Sequence, residues 1–300
     1  NTLAYLFEFL DAYDFSNDSK EEVVSENKSL INASVLGLIF EKINGYKDGS
    51  FYTPSFITMY MARESLRKSV IDKFTEDNPS VKIDSWAGLK AYVASDFSDE
   101  FRIKADQLVN SITICDPAVG SGHFLVSALN ELVMIKHELG LFQYKNMRIE
   151  LYNDDLQVML DDEWFAYKTP KDYKSANHAV QKMLFIEKQR IIENQLFGVD
   201  INPNSVNICR LRLWIELLKN AYYKEDGTLE TLPNIDINIK CGNSLISRFG
   251  LNDDIKDKRI KEEIERYKQV VKDYKENVGN KHEVMASIDA IKAKFSATMK

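Results

Sequence analysis

The sequence predicts an α/β fold built on a parallel sheet, and three observations carry that expectation. Short apolar runs at residues 112–115, 196–201 and 235–239 read as strands. Helix-forming stretches follow the first two, at about residues 122–138 and 203–220. The first run also feeds Asp116-Pro117 and then a Gly120-Ser121-Gly122 turn. Strand, loop and helix in alternation argue for parallel strands joined by helical crossovers. A strand ending at an acid, before glycines that admit close backbone approach, is how open α/β sheets build ligand pockets at their carboxyl edge.

The composition sets the outer bounds. A chain of 300 residues with 44% hydrophobic content buries a sizeable core, and its length suits one large domain with appendages. No apolar run approaches the roughly 20 residues that span a bilayer, and the start, Asn1-Thr2-Leu3-Ala4, is not a signal peptide, so a cytoplasmic protein is expected. The first residue is not Met, which suggests a segment of something longer. Cys115, Cys209 and Cys241 form no CxxC pair and lie far from the four histidines, so they read as buried small hydrophobes, and no metal site is expected. A net charge of -7 argues against a surface that grips phosphates throughout, so any contact with nucleic acid is local or supplied by another part of the protein.

Along the chain, the first hundred residues look mainly helical, with helices expected at residues 3–13, 30–43 and 54–74. In the third, Ile57, Met61, Ile71 and Phe74 suit one apolar face. Residues 45–50 form a glycine-bearing loop, and Thr53-Pro54 is a helix start with the hydroxyl as N-cap and proline in the first turn. Between the first two strands, residues 148–152 and 156–160 form a β-hairpin about the turn Asn153-Asp154-Asp155, read as a solvated acidic insertion into the crossover. After residue 250, Ile260, Ile264, Tyr267, Val271, Tyr274 and Val278 step by three and four, Gly279-Asn280 interrupts, and Val284, Ile288, Ile291 and Phe295 resume, as in a helical hairpin. The expected organisation is therefore an N-terminal helical region at 1–105, a cofactor-binding core at 106–250 and a helical hairpin at 251–300.

Four short segments carry chemistry. In Asp116-Pro117-Ala118-Val119-Gly120-Ser121-Gly122-His123-Phe124 the glycines let amides approach a ligand, and Asp116 suits an ammonium group. A dinucleotide loop would want GxGxxG against a pyrophosphate; here the third glycine position is Leu125, and Asp116 opposes phosphate. In Leu196-Phe197-Gly198-Val199-Asp200-Ile201, an acid at a strand end can accept both hydroxyls of a ribose, which taken alone fits an NAD enzyme equally. Cys241-Gly242-Asn243 ends the third run; an asparagine after glycine is also an ordinary turn residue. Phe51-Tyr52-Thr53-Pro54 opens a helix whose free amides suit a carboxylate, although Thr-Pro alone is a common helix start.

The first segment resembles motif I of the amino-type DNA methyltransferases, which methylate adenine N6 or cytosine N4 with S-adenosylmethionine. The other three resemble motifs II, III and X, and the order, with Tyr52-Thr53-Pro54 first, is that of the γ class. Ser34-Val35-Leu36-Gly37 and Phe40-Glu41-Lys42-Ile43 further resemble the fused type IIG restriction–modification polypeptides and related phage-defence methylases. The likeness covers roughly residues 30–250. It implies a Rossmann-like S-adenosylmethionine-dependent methyltransferase core with an N-terminal helical region and a C-terminal helical hairpin, and an adenine-specific enzyme acting on double-stranded DNA through the full-length protein. It implies cofactor contacts from Tyr52, Thr53, Pro54, Asp116, Pro117, Ala118, Gly120, Ser121, Gly122, Phe124, Asp200, Ile201, where the isoleucine lies against the adenine ring, and Asn243.

The family's catalytic loop, Asn/Asp/Ser-Pro-Pro-aromatic, is absent, because the six prolines include no adjacent pair. That loop holds the amino group of a flipped base in line with the methyl donor. No residue here is therefore assigned to catalysis, and the segment is expected to be inactive by itself. The competing readings are an S-adenosylmethionine-dependent methyltransferase acting on RNA or protein, a non-catalytic nucleotide-sensing module, and, least favoured by the loop, a NAD-dependent dehydrogenase.

Overall fold

A computed structural model describes residues 53–96, 98–142, 144, 146–152, 154–232, 238–246, 258–275 and 281–298. It also gives a short parallel bridge between Tyr13–Asp14 and Ser29–Leu30. The expected helices at 3–13 and 30–43, apart from residues 13 and 30, lie outside the described residues, as do the 45–50 loop and Tyr52.

Helix α1 (Ser55–Asp77) buries Thr58, Ala62, Leu66, Val70 and Phe74. That stripe corrects the expected one: Ile57 and Met61 are 37% and 51% exposed, and Ile71 is only partly buried. Small residues at 58 and 62 let the backbone of α1 come close to its neighbour, and this outweighs the pull of the larger apolar side chains one position earlier. The expected N-cap is also displaced. Pro54 occupies that position, without a side-chain cap, and Thr53 lies outside the helix. Helices α2 (Trp86–Val93) and α3 (Asp99–Asn110) start conventionally, with Ser85 and Ser98 accepting from the amides of Gly88 and Phe101.

Strand β1 (Ile114–Asp116) leads to α4 (His123–Glu138), buried nearly all round and so the inner helix of the fold. The hairpin then appears as β2 (Met147–Tyr152) and β3 (Asp155–Leu160), extended by β4 (Glu163–Trp164). Its pairing, Tyr152↔Asp155 and Leu160↔Glu163, leaves two-residue turns. Asp154, Asp161 and Asp162 take positive φ of 63°, 53° and 63°, the left-handed region in which short acidic side chains are tolerated.

Helix α5 (Ala176–Asn194) precedes β5 (Leu196–Asp200), α6 (Pro203–Leu218) and β6 (Ile239–Cys241). The crossover to β5 thus holds, besides the expected helix after β1, a second core helix, α5, after the hairpin, where the sequence suggested only an insertion. The strands form a parallel sheet in the order β1-β5-β6, with Asp116 beside Gly198 and Asp200 beside Cys241. Leu196, Gly198 and Ile239 are buried on one face. On the other, Cys115 is exposed and Phe197, Val199 and Lys240 are half-buried. This corrects the reading of the cysteines, since Cys115 and Cys241 are exposed and only Cys209 is buried. Helices α7 (Lys258–Lys275) and α8 (Lys281–Thr298) form the expected hairpin and pack on each other.

The helices are tied together by buried charge. Lys136 of α4 is fully buried; its ammonium lies 2.9 Å from Asp106 of α3, donates to Asn110 at 2.6 Å and pairs with Glu187 of α5. Such a group is tolerated only with partners, and removing it leaves Asp106 and Glu187 with the half-exposed Arg190 as their remaining cationic partner. Lys136→Ala is expected to cost about 3–5 kcal/mol in chemical denaturation, whereas a loss below about 1 kcal/mol would contradict the network.

Candidate functional site

Parallel pairing brings the acids of β1 and β5 to the same edge of the sheet. The loop after β1 then folds back over β5: the amide of Val119 donates to the Val199 carbonyl at 2.9 Å, and that of Gly120 to the Asp200 carboxylate at 2.8 Å. The other carboxylate oxygen accepts from Asn202 at 2.8 Å, and the Asp116 carboxylate accepts from Ala118 at 3.0 Å. The chain after β6 joins the same edge, since Gly242 donates to the Asp200 carbonyl at 2.9 Å.

The glycines are required by geometry. Gly120 and Gly122 have φ of 54° and 82°. A Cβ on Gly122 would lie 2.7 Å from the Cys209 sulfur on α6, and a Cβ on Gly198 would lie 2.8 Å from the Val119 side chain. The loop is therefore wedged between a helix and a strand with no room for side chains at those two points. Burial pushes the Cys209 thiol up to about 12, which makes it an inert packing group.

Arg212 of α6, itself buried, donates to the Ser121 carbonyl at 3.2 Å. Ser121 in turn bonds His123 Nδ1 at 3.1 Å. Burial, with help from Arg212, lowers His123 to about 4. Asp116 is raised by burial, with the Asp200 carboxylate adding to the shift against the Ala118 amide. Two acids facing one edge suit hydroxyl donors and cationic groups and oppose phosphate.

The sequence-derived residues fall into three groups. Asp116, Gly120, Ser121, Gly122 and Asp200 form one bonded unit with the chain at Asn243. Pro117, Ala118, Ile201 and Asn243 are exposed along its rim, and Phe124 is half-buried behind it. The Asn243 side chain accepts from the Leu245 amide at 2.9 Å, which is turn geometry. Thr53 and Pro54 are exposed at the start of α1, whose Thr58 bonds Ser127 of α4 at 2.8 Å, so the α1 start lies beside the first turns of α4. The packing of Arg212, Cys209 and Gly198 against the loop escaped the sequence reading. Glycine in a buried strand was the available signal for the last. The acidic hairpin was misread as solvated, because Asp154 is buried and Asp155 is paired with Lys219 at 2.9 Å.

A cavity of ≈ 630 Å³ lies elsewhere, between α2, α3 and residues 137–147 at the far end of α4. It is lined by apolar side chains such as Val93, Phe101, Leu139 and Leu141 together with charged groups such as Lys90, Asp99, Arg102 and Glu138, and it includes neither Asp116, Asp200 nor the loop at 120–122. Among the described residues no group of His, Cys, Asp or Glu side chains is arranged to hold a metal, and no helix is long and apolar enough to cross a membrane.

Residues 96–268 match the family described as MmeI, DNA-methyltransferase domain, and residues 1–31 match a domain of unknown function (DUF7814). The chain is 33% identical over 260 residues to a candidate type II restriction enzyme and methyltransferase of Methanocaldococcus jannaschii. That alignment covers 79% of this chain and 18% of the length of the relative. No solved structure matches.

Two outcomes test the loop. Gly122→Ala is expected to destabilise the fold by about 1–3 kcal/mol, and adding Cys209→Ala should restore part of the loss by removing the clash but not the strained φ. No recovery in the double variant would contradict the wedge. By NMR the His123 ring should titrate at about 4, so that its neutral form supports the fold above the ordinary value of 6.5 and that support is lost as pH falls toward 4. A midpoint near 6.5 would contradict the buried setting.

Proposed function

The chain belongs to the MmeI DNA-methyltransferase domain family, and we propose that it forms the S-adenosylmethionine-binding part of a site-specific adenine-N6 DNA methyltransferase in a restriction–modification or phage-defence protein. The observation that carries this reading is the pair of strand-end carboxylates, Asp116 and Asp200, set on adjacent parallel strands around a glycine loop bonded to the second. The donor set fits the cofactor: acids for the ribose hydroxyls and the ammonium group, close backbone at Gly120 and Gly122, and the exposed apolar Ile201. S-adenosylmethionine, when bound, supplies an electrophilic methyl group on a sulfonium centre.

This chain's own residues hold and orient. Asp200, fixed by the Gly120 and Asn202 amides, keeps lone pairs for the ribose hydroxyls, since an ionised carboxylate has about four acceptor sites. Asp116 attracts the ammonium group. Pro117, Ala118, Gly120, Ser121, Gly122 and Phe124 shape the floor, Ile201 offers an apolar face to the adenine, and Asn243 reads its edge. Tyr52, Thr53 and Pro54 cover the methionine end. In this reading residues 1–105 are the helical region bearing that cover, residues 106–250 are a Rossmann-like core, and residues 251–300 are a helical hairpin. The segment binds cofactor but does not transfer methyl, because the Pro-Pro-aromatic loop that presents the acceptor base is not in its sequence. Double-stranded DNA is engaged by the longer protein, in keeping with a net charge of -7 on this part.

Calorimetry with the chain should show saturable binding of S-adenosylmethionine and none of NAD. Asp200→Ala should weaken the former by about 10- to 100-fold, the effect of losing hydrogen bonds to a charged group. Unchanged affinity removes Asp200 from the site. With the longer polypeptide, methylated DNA should contain N6-methyladenine, and a methylated cytosine or an RNA product would overturn the adenine assignment.

A further inference from the structure

The hairpin tip meets α4 and, through Ser127, the first turn of α1. Asp154 is 8% exposed and sits at the β2–β3 turn. Its backbone carbonyl accepts from the Asn130 side chain of α4 at 2.6 Å. One of its carboxyl oxygens, Oδ2, accepts from Ser127 at 2.9 Å, and Ser127 bonds Thr58 of α1 at 2.8 Å. Thr58 donates to the Ser55 carbonyl at 2.9 Å, in the first turn of α1. The other carboxyl oxygen, Oδ1, is buried and has no hydrogen-bond partner among the described residues.

Counting protons along this path is informative. Three links join Asp154, Ser127, Thr58 and the Ser55 carbonyl, and each needs one hydrogen. The two hydroxyls supply two. If Asp154 is ionised, Ser127 donates to it, Thr58 donates to Ser127, and the link from Thr58 to the Ser55 carbonyl is lost. If Asp154 carries a proton, it donates to Ser127, Ser127 to Thr58 and Thr58 to Ser55, and every link is made. A buried chain of this kind is much stronger when fully satisfied than when one member is missing.

We propose that Asp154 is a positioning residue whose protonated form completes this hydrogen-bond chain, fixing the first turn of α1 against α4 and with it the Thr53-Pro54 side of the cofactor site. This rests on the reading of that site as the S-adenosylmethionine pocket.

The electrostatic setting agrees. Burial raises Asp154 to about 6, and the Glu216 carboxylate of α6 adds to the shift against the Ser127 and Asn130 hydrogen bonds and the Arg212 charge. Lys219, just past the end of α6, pairs with Glu216 at 2.7 Å and with Asp155. Among the described residues, the hydrogen-bond partners of Asp154 on α4 are uncharged, Ser127 and Asn130, and so is Thr58 of α1, which bonds Ser127. An unfolded carboxyl titrates near 3.8, so the contribution of Asp154 is full below that value and is lost as pH rises through about 6.

The test is calorimetric titration of S-adenosylmethionine at pH 5.5 and 7.5 into the wild-type chain, Asp154→Asn and Thr58→Val, with thermal unfolding at both values. Asparagine donates to Ser127 at either pH, and valine interrupts the chain while keeping the shape. Wild-type affinity should fall by up to about 25-fold over the interval, following the protonated fraction of a group that titrates at about 6. Asp154→Asn should hold its pH 5.5 affinity, and Thr58→Val should bind more weakly without pH dependence. Either variant keeping the wild-type pH profile overturns the proposal. If the folded wild-type chain binds no S-adenosylmethionine at either pH, the cofactor reading fails. The unfolding data then decide the chain: Asp154→Asn gaining stability over wild type only at pH 7.5 supports it, and parallel profiles overturn it.

Discussion

The hydrogen bond from the Gly120 amide to the Asp200 carboxylate, 2.8 Å long, is the contact on which the rest of the site depends. It joins the loop after β1 to the end of β5, and it requires two adjacent strands that run in the same direction. Parallel pairing provides this, placing Asp116 beside Gly198 with Asp200 two residues further. The loop must also lie flat on β5, which demands glycine at 198, and against α6, which demands glycine at 122. An acid in this place is held by backbone before any ligand arrives, so little reorganisation is left for binding.

Around that contact the helices act as braces. Arg212 holds the loop from α6, while Lys136 locks α4 to α3 and α5 through buried charge. The same logic recurs at Asp154, where a hairpin far from the glycine loop in sequence meets α4 and α1 through a buried polar path. Buried ionisable groups stabilise little for their number, yet they define one arrangement sharply, because any other leaves a charge unpaired. A site assembled from segments more than a hundred residues apart needs that definition.

The parts of the fold that were readable in the sequence are local ones. The strand–acid–glycine–helix order around Asp116, the strand and acid at Asp200, the hairpin at 148–160 and the final pair of helices each announce themselves within about ten to twenty residues, by period and by turn chemistry. What escaped depends on distant partners. Asp154 looks like a solvated turn until Ser127 and Thr58 are set beside it. The buried stripe of α1 follows Thr58 and Ala62 because α4 approaches closely, which hydrophobicity along α1 does not reveal. Cys115 is exposed because coverage of a strand face is decided by other elements. Arg212 is one of several polar residues on α6, with Arg210 and Glu216, and nothing marks it out until the loop it holds is in place.

On the proposed reading, the cofactor binds at the carboxyl edge of β1 and β5. A crystal structure of the chain grown with S-adenosylmethionine tests this most directly. The expected result is density over Gly120–Gly122 with the ribose hydroxyls within about 3 Å of the Asp200 carboxylate. Density confined to another place, such as the cavity between α2 and α3, would contradict it.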